Sequence, residues 1–246
     1  MIAYHGGPIT PEKVALSVWR GRHAMVSFAY PDQLPFAASV AESFALDNGA
    51  FSEWKAGKQS DWEGFYKWVD DWRRHPGFDF ALIPDVIDGR EDDNDLLVFN
   101  RWPFGKAGVP VWHLHESLNR LEYLAKDWPR IALGSSGKYS RPGAGGWWAR
   151  IADAMRVVCD EQGRPKVRLH GLRMLNPALS RHIPFASADS TTVARNINLD
   201  SRWSGTYSPA SKEIRALLLA DRLQPCEPAE RWSNMHIQDQ LLQVFA

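Results

Sequence analysis

The chain has 246 residues, 44% hydrophobic and 24% charged, an ordinary globular composition at a length that suits one domain or one barrel. Lys plus Arg number 29 and Asp plus Glu 29, so no overall field draws in a polyanion and a nucleic-acid partner needs a local basic patch. Two cysteines, Cys159 and Cys226, without CxxC spacing, argue against a disulfide framework or a cysteine-rich zinc site and fit a reducing cytoplasm. The N-terminal MIAYHGGPIT has no basic segment leading into an apolar one, and no apolar run nears the ~20 residues of a membrane span, so neither signal peptide nor membrane anchor is expected. Twelve tryptophans are many. Most are expected in the core or at helix–barrel contacts, with a few free to stack on a planar ligand.

In chain order, residues 1–4 read as a strand and 11–19, behind the candidate cap Thr10, as a helix. Residues 24–28 and 43–46 are the next strands. Residues 62–73, behind Ser60-Asp61, carry aromatic side chains at helical spacing. Strand 80–83 is followed by helix 92–101, strand 109–112 by helix 117–126, and strand 130–133 by helix 146–161. Strand 167–169 leads to helix 175–181, and strand 185–188 to helix 192–197, which starts near the capping residue Ser190. A terminal helix covers 211–220. Strand–helix alternation implies a parallel sheet. Eight repeats in about 200 residues favour a closed (β/α)8 TIM barrel of α/β class over an open doubly wound sheet, and no GxGxxG fingerprint argues for a dinucleotide fold. The expected organisation is a barrel domain over 1–200. A helical extension over 201–246, with Trp203, Tyr207, Pro225 and Pro228, is expected to pack on the barrel exterior.

Catalytic groups of such barrels sit where strands end. The candidate strand ends are His5-Gly6-Gly7, Tyr30 with Asp32, Asp47-Asn48-Gly49, Pro84-Asp85 with Asp88, His113-Leu114-His115-Glu116, Gly134-Ser135-Ser136-Gly137, His170-Gly171 and Asp189-Ser190. Polar residues at strand ends are common, but so many Asp, His and Gly at one mouth suggest a ligand site. Two carboxylates from distant parts of the chain, Asp47 and Asp189, suggest a nucleophile and a proton-transfer partner. Each also has a plain structural reading. Asp47 before Asn48-Gly49 makes a tight turn, Asp189-Ser190 caps the helix that follows, His5 belongs to either pocket or turn, and Asp88 faces solvent.

The order Asp47-Asn48-Gly49-Ala50-Phe51, Pro84-Asp85, Ala132-Leu133-Gly134, His170-Gly171-Leu172 and Asp189-Ser190-Thr191-Thr192-Val193-Ala194-Arg195 resembles the tRNA-guanine transglycosylase superfamily. It is most similar to its short phage-type members associated with 7-deazaguanine modification of DNA. The resemblance spans residues 43–196. It implies a base-exchange enzyme, a pentosyltransferase that replaces guanine, in DNA rather than tRNA, with a 7-deazaguanine base through a covalent aspartyl-sugar intermediate. By resemblance, Asp189 is the nucleophile at C1′ and Asp47 the acid/base. Asp85 reads the amino and ring N–H edge of the purine, and Gly134 lets the purine lie close. Ser135 and Ser136 add hydrogen bonds, and His170 or Gly171, in the segment 169–173, lies beneath the base; Asn48 and His5 are counted with the substrate-binding residues. The implied partners are a nucleic acid and a free purine or 7-deazapurine base, with a homodimer as the family's frequent state. No cofactor is implied. The tRNA enzymes carry a zinc site of three cysteines and a histidine that two cysteines cannot supply, so no metal is expected. Gly49-Ala50 stands where a Gly-Gly pair is common.

One stretch suits nucleic acid. Residues 137–150 interleave Lys138, Tyr139, Arg141, Trp147, Trp148 and Arg150 on a glycine-rich loop, able to track phosphates and stack bases. Trp147 and Trp148 equally suit the start of a buried helix. Arg195, Asn196, Arg202 and Lys212 extend the patch. A duplex target has to be flipped open for C1′ chemistry. The competing readings are three: a metal-dependent hydrolase with His113, His115, His170, Asp47 and Asp189 as donors, a glycosylase that removes a nucleoside or DNA base without replacing it, and a binding module on the same barrel.

Overall fold

Nine parallel strands form one sheet: β1 (Ile2–Gly6), β2 (His23–Ser27), β3 (Ser43–Asp47), β4 (Phe78–Leu82), β5 (Gly108–Val109), β6 (Val111–His113), β7 (Arg130–Gly134), β8 (Arg168–Gly171) and β9 (Ser187–Ser190). This computed structural model describes residues 1–198, 208–224 and 227–233. The strand order is β5-β4-β3-β2-β1-β9-β8-β7-β6. Its two edges, β5 and β6, are consecutive in the chain and separated only by Pro110. The first half of this stretch pairs with β4 and the second with β7. Ile83 N–H donates to Val109 O at 3.0 Å, and Ala132 N–H donates to Pro110 O at 2.9 Å. Proline has no N–H for a ladder, so the strand expected over 109–112 divides there while still acting as one stave. Eight staves alternating with helices make a TIM-barrel-like α/β domain.

Period-two alternation explains the two cores. Tyr4, Met25, Ala45, Phe80, Leu82, Val109, Val111 and Ala132 fill the barrel. Their neighbours Ala3, Ala24, Val26, Phe44, Leu46, Ala81, Ile131 and Leu133 face outward into the helices. The lower end of the barrel is polar. Tyr4 donates its hydroxyl proton to Asp79, and Arg130 grips the same carboxylate with contacts of 2.9 and 3.2 Å. The Arg130 guanidinium also lies 4.6 Å from the Phe80 ring centroid.

The helices are α1 (Glu12–Trp19), α2 (Leu34–Val40), α3 (Ala50–Lys55), α4 (Trp62–Trp72), α5 (Glu91–Asp95), α6 (Leu118–Asp127), α7 (Gly145–Val158), α8 (Pro177–Ser180), α9 (Thr192–Asn196) and α10 (Lys212–Leu223). Side-chain caps start several of them: Asp61 accepts from Gly64 N–H at 2.9 Å on α4, and Ser117 from Arg120 N–H at 3.1 Å on α6. The helix expected over 92–101 is α5 running into a π-helical turn at Leu96–Arg101. α2 and α3 were not expected; each is short and lacks a side-chain cap. α10 packs on α1 and α9, held by Arg215 donating to Ile197 O at 2.7 Å and by the Lys13–Glu213 and Arg22–Asp221 pairs at 2.6 and 2.5 Å. Trp203, Tyr207, Arg202, Pro225 and Cys226 lie outside the described residues; Pro228 is half-buried. Among the described residues no helix is long and apolar enough to cross a membrane.

Among the described residues Arg120 is the one arginine that is fully buried. It donates to Val111 O at 2.8 Å, to Glu116 at 2.7 Å and to Asp95 at 2.8 Å, joining α5, α6 and β6. Removing one partner of a buried pair strands the other charges without water. Arg120→Ala is therefore expected to cost about 3–5 kcal/mol, read as a lowered denaturant midpoint at unchanged m-value. A loss below ~1 kcal/mol would show that the pair is not desolvated.

Candidate active site

β3 extends to Asp47, whose backbone pairs with Ser27 on β2. The chain then turns through Gly49 at φ 79° into α3. A Cβ at Gly49 would meet Ala29 N at 3.1 Å, so this turn needs glycine both for its dihedral and for space. The turn reading of Asp47-Asn48-Gly49 is thus correct for Asn48 and Gly49, and the turn leaves the Asp47 carboxyl at the mouth. Burial lifts the Asp47 pKa to about 6. A hydrogen bond from Ser27 opposes this, the fields of Asp189 and then Asp85 add to it, and Arg173 opposes it. Asp47, Asp85 and Asp189 therefore share one electrostatic environment.

Asn48 is buried and fully used. Its amide donates to Ile83 O at 2.9 Å and to Asp85 Oδ1 at 2.6 Å, and its carbonyl accepts from Ala50 N–H at 2.9 Å. It positions Asp85. The second oxygen of Asp85 lies 2.8 Å from His113 Nε2 on the adjacent stave, a charge contact outside linear hydrogen-bond geometry. Burial lowers the proton affinity of His113, but Asp85 and then Glu116 outweigh it and the net shift is upward. Glu116 also fastens the backbone: it accepts from His113 N–H at 2.8 Å and from Asn94 at 2.8 Å, and Asn94 in turn accepts from Val86 N–H at 2.7 Å. The loop carrying Asp85 is thereby tied to the end of β6. Gly134 lies against the same imidazole, where a Cβ would stand 3.1 Å from His113 Nδ1.

Asp189 is buried on β9. Its Oδ1 accepts from Arg173 N–H at 2.8 Å and lies 3.4 Å from His170 Nε2. Asp189 does not cap α9, whose cap residue is Thr191 without a side-chain bond; Ser190 Oγ accepts from Thr192 N–H at 3.0 Å. His170 is fully buried on β8, with Nδ1 2.8 Å from Ser187 Oγ. It sits beneath Asp189 and not at the rim. Gly171 is packed against Phe185 and Met174, which a Cβ would meet at 2.8 and 3.0 Å.

Other expected site residues divide. Ser136 holds His115 Nδ1 at 2.7 Å, and Ser135 accepts from Trp147 at 2.9 Å, so both support the loop after β7. His5 does not face the mouth. It is buried on the outer wall, with Nε2 3.4 Å from Gln224 just past α10 and its carbonyl taken by Trp19, because Tyr4 holds the inward position of β1 and its neighbour must point the other way. Trp147 and Trp148 are buried in α7, which removes them as stacking platforms. Lys138, Arg141, Arg195 and Lys212 are exposed, whereas Arg150 is spent on Leu114 O and Glu116 O. Asp88 is exposed and accepts from Trp54 at 2.8 Å.

His113 and His115 do lie together, stacked at 5.6 Å, but one is turned to Asp85 and the other to Ser136. Among the described residues no group of three or more His, Cys, Asp or Glu is arranged to hold a metal ion. His113 as the partner of Asp85 was legible in principle, since consecutive staves ending in Asp and His bring the two side by side. Arg173 falls in the segment 169–173 expected beneath the base, but no role of its own was legible there. Its backbone reaches Asp189, its φ is 55°, and its guanidinium lies 3.5 Å from the Phe51 ring centroid. Comparison with protein-family models, curated proteins and solved structures finds no match.

The raised Asp47 pKa makes a signed prediction. The folded state holds this proton up to about pH 6, the unfolded chain only to about pH 3.9. Stability from this group is therefore full below pH 4 and lost as pH rises through 6. Asp47→Asn, which cannot ionise, is expected to raise Tm at pH 8 by ~2–4 °C for each kcal/mol of charge burial relieved, and to leave Tm unchanged at pH 3.5. An equal Tm difference at both pH values would contradict the assignment.

Proposed function

We propose that the protein exchanges a nucleobase at C1′ of a nucleotide, with DNA rather than tRNA as the polymer, in the manner of the transglycosylase superfamily its motifs resemble. The observation that carries the reading is the pairing of unlike carboxyls at one mouth. Asp189 is held by an N–H donor and lies beside an imidazole, and Asp47 has a proton affinity matched to near-neutral pH. An oxocarbenium-like centre at C1′ calls for one carboxylate to attack and one acid to protonate the departing base.

In the forward half, an Asp189 oxygen bonds to C1′ as the C1′–N bond breaks, and Asp47 gives its proton to the leaving base. The Asp189 oxygen facing away from Arg173 N–H is the one free to attack. In the return half, the incoming base loses a ring proton to Asp47, its nitrogen bonds to C1′, and the ester oxygen departs with its electron pair to restore Asp189. Atoms and charges balance, and Asp47 returns to its starting form. Asp85 accepts from the purine amino and ring N–H edge through the lone pairs that Asn48 and His113 leave open. His113 and Asn48 hold that carboxylate as an acceptor. Gly134, tight against His113, leaves the purine room above the imidazole. The choice of DNA over tRNA is supported by the lack of enough cysteines for the zinc site.

Single-stranded and duplex oligonucleotides incubated with labelled guanine or a 7-deazaguanine test the reading. Label is expected to enter the polymer, Asp189→Ala to abolish both entry and the covalent adduct, and Asp47→Asn to slow base departure by about 10²–10⁴-fold. Folded wild-type protein that transfers no base to any DNA or RNA would overturn it.

A further inference from the structure

Arg173 is the one described residue other than glycine with a positive φ, a conformation that costs energy for a side chain with a Cβ and that clusters at functional sites. Two contacts fix it there. Its N–H is spent on Asp189, and its guanidinium carbon lies 3.5 Å from the ring centroid of Phe51 at the start of α3. Arg173 is exposed and forms no ion pair among the described residues. Its backbone N–H bonds Asp189, but its guanidinium pairs with no carboxylate and meets only solvent and an aromatic face. An unpaired, planar guanidinium one residue-length from a nucleophile is suited to an anion that accompanies the reacting atom.

We propose that Arg173 is the phosphate-binding residue of this mouth: its guanidinium takes the backbone phosphate of the nucleotide whose C1′ lies over Asp189. The inference rests on the base-exchange reading and deepens it, since it makes the substrate a nucleotide within a chain and not a free nucleoside. A sugar held with C1′ over Asp189 carries its phosphates outward, away from the base pocket at Asp85 and toward the rim where Arg173 lies. The Phe51 ring is a resting place with modest hold, since an exposed cation–π contact is worth about 0.5–1 kcal/mol, less than a charge-assisted fork onto phosphate. The guanidinium can therefore leave Phe51 for a phosphate while its N–H stays on Asp189. A purely structural role, pinning α3 to the loop after β8, would use the same stacking but would not respond to salt.

Oligonucleotide binding followed by the fluorescence of the tryptophans, Trp54 beside Phe51 among them, separates these roles, because it needs no turnover. Arg173→Gly keeps the backbone N–H and accepts the positive φ without strain, so it removes the guanidinium and its contact to Phe51 while leaving the bond to Asp189; Arg173→Lys keeps the charge. For a single-stranded DNA oligonucleotide, the slope of log K against log salt is expected to fall by about 1 in Arg173→Gly and to be restored in Arg173→Lys. Discrimination between a nucleotide and its nucleoside should vanish in the glycine variant. An unchanged slope in Arg173→Gly, or no binding of oligonucleotide by wild type, would overturn the inference. If the slope falls as expected yet wild type transfers no base, the phosphate site stands and the base-exchange reading fails.

Discussion

Three carboxylates at one mouth repel one another, and the structure around them is a set of answers to that repulsion. Asp85 is met by an imidazole and an amide, Asp189 by a backbone N–H and a second imidazole, and Asp47 by the Ser27 hydroxyl, with burial still raising its proton affinity. Like charges in a partly desolvated space cannot all ionise at little cost. Burial raises the Asp47 proton affinity by more than the Ser27 hydrogen bond and the Arg173 field lower it. What distinguishes these chemically identical side chains is thus the environment each stave supplies, not the aspartates themselves.

The barrel makes those donors available. A closed parallel sheet sends every strand end to the same rim, and closure here rests on one stretch, Gly108–His113, that changes partner at Pro110. That change of partner sets the end of β6 beside the loop after β4, so His113 reaches Asp85. The Glu116–Asn94–Val86 links then hold the loop against the strand. Arg120, buried beneath and bonded to Glu116 and Val111 O, fixes this corner from below. Donor placement at Asp85 is accordingly a property of the fold's seam.

Fold class and the strand-end aspartates were legible because period-two apolar runs and strand–helix alternation are local and repeat eight times. The strand ends were less so. Asp47, His113, His170 and Asp189 lie inside strands and not after them, since a ladder continues as long as a neighbouring strand offers partners, which no local pattern reports. His5 illustrates the same gap. It shares the polar strand-end signature, yet alternation fixed by Tyr4 turns it to the outer wall. Trp147 and Trp148 read equally as stacking platform or helix core, and the packing of α7 decided for the core.

The conformation of Arg173 was illegible for a different reason. Nothing in Leu172-Arg173-Met174 marks a turn, and a sequence signal for positive φ is normally glycine or asparagine. Arginine there has to be held by tertiary contacts, and the contact that holds it is to Asp189 itself. The strained residue and the carboxylate therefore depend on each other. The N–H that orients Asp189 is presented only while the backbone stays in the left-handed region, and that region is occupied because the carboxylate accepts the bond. Glycine would present the same N–H with less strain but would carry no side chain across the mouth. An L side chain at this φ carries a guanidinium from the loop that holds Asp189 across to Phe51 at the rim.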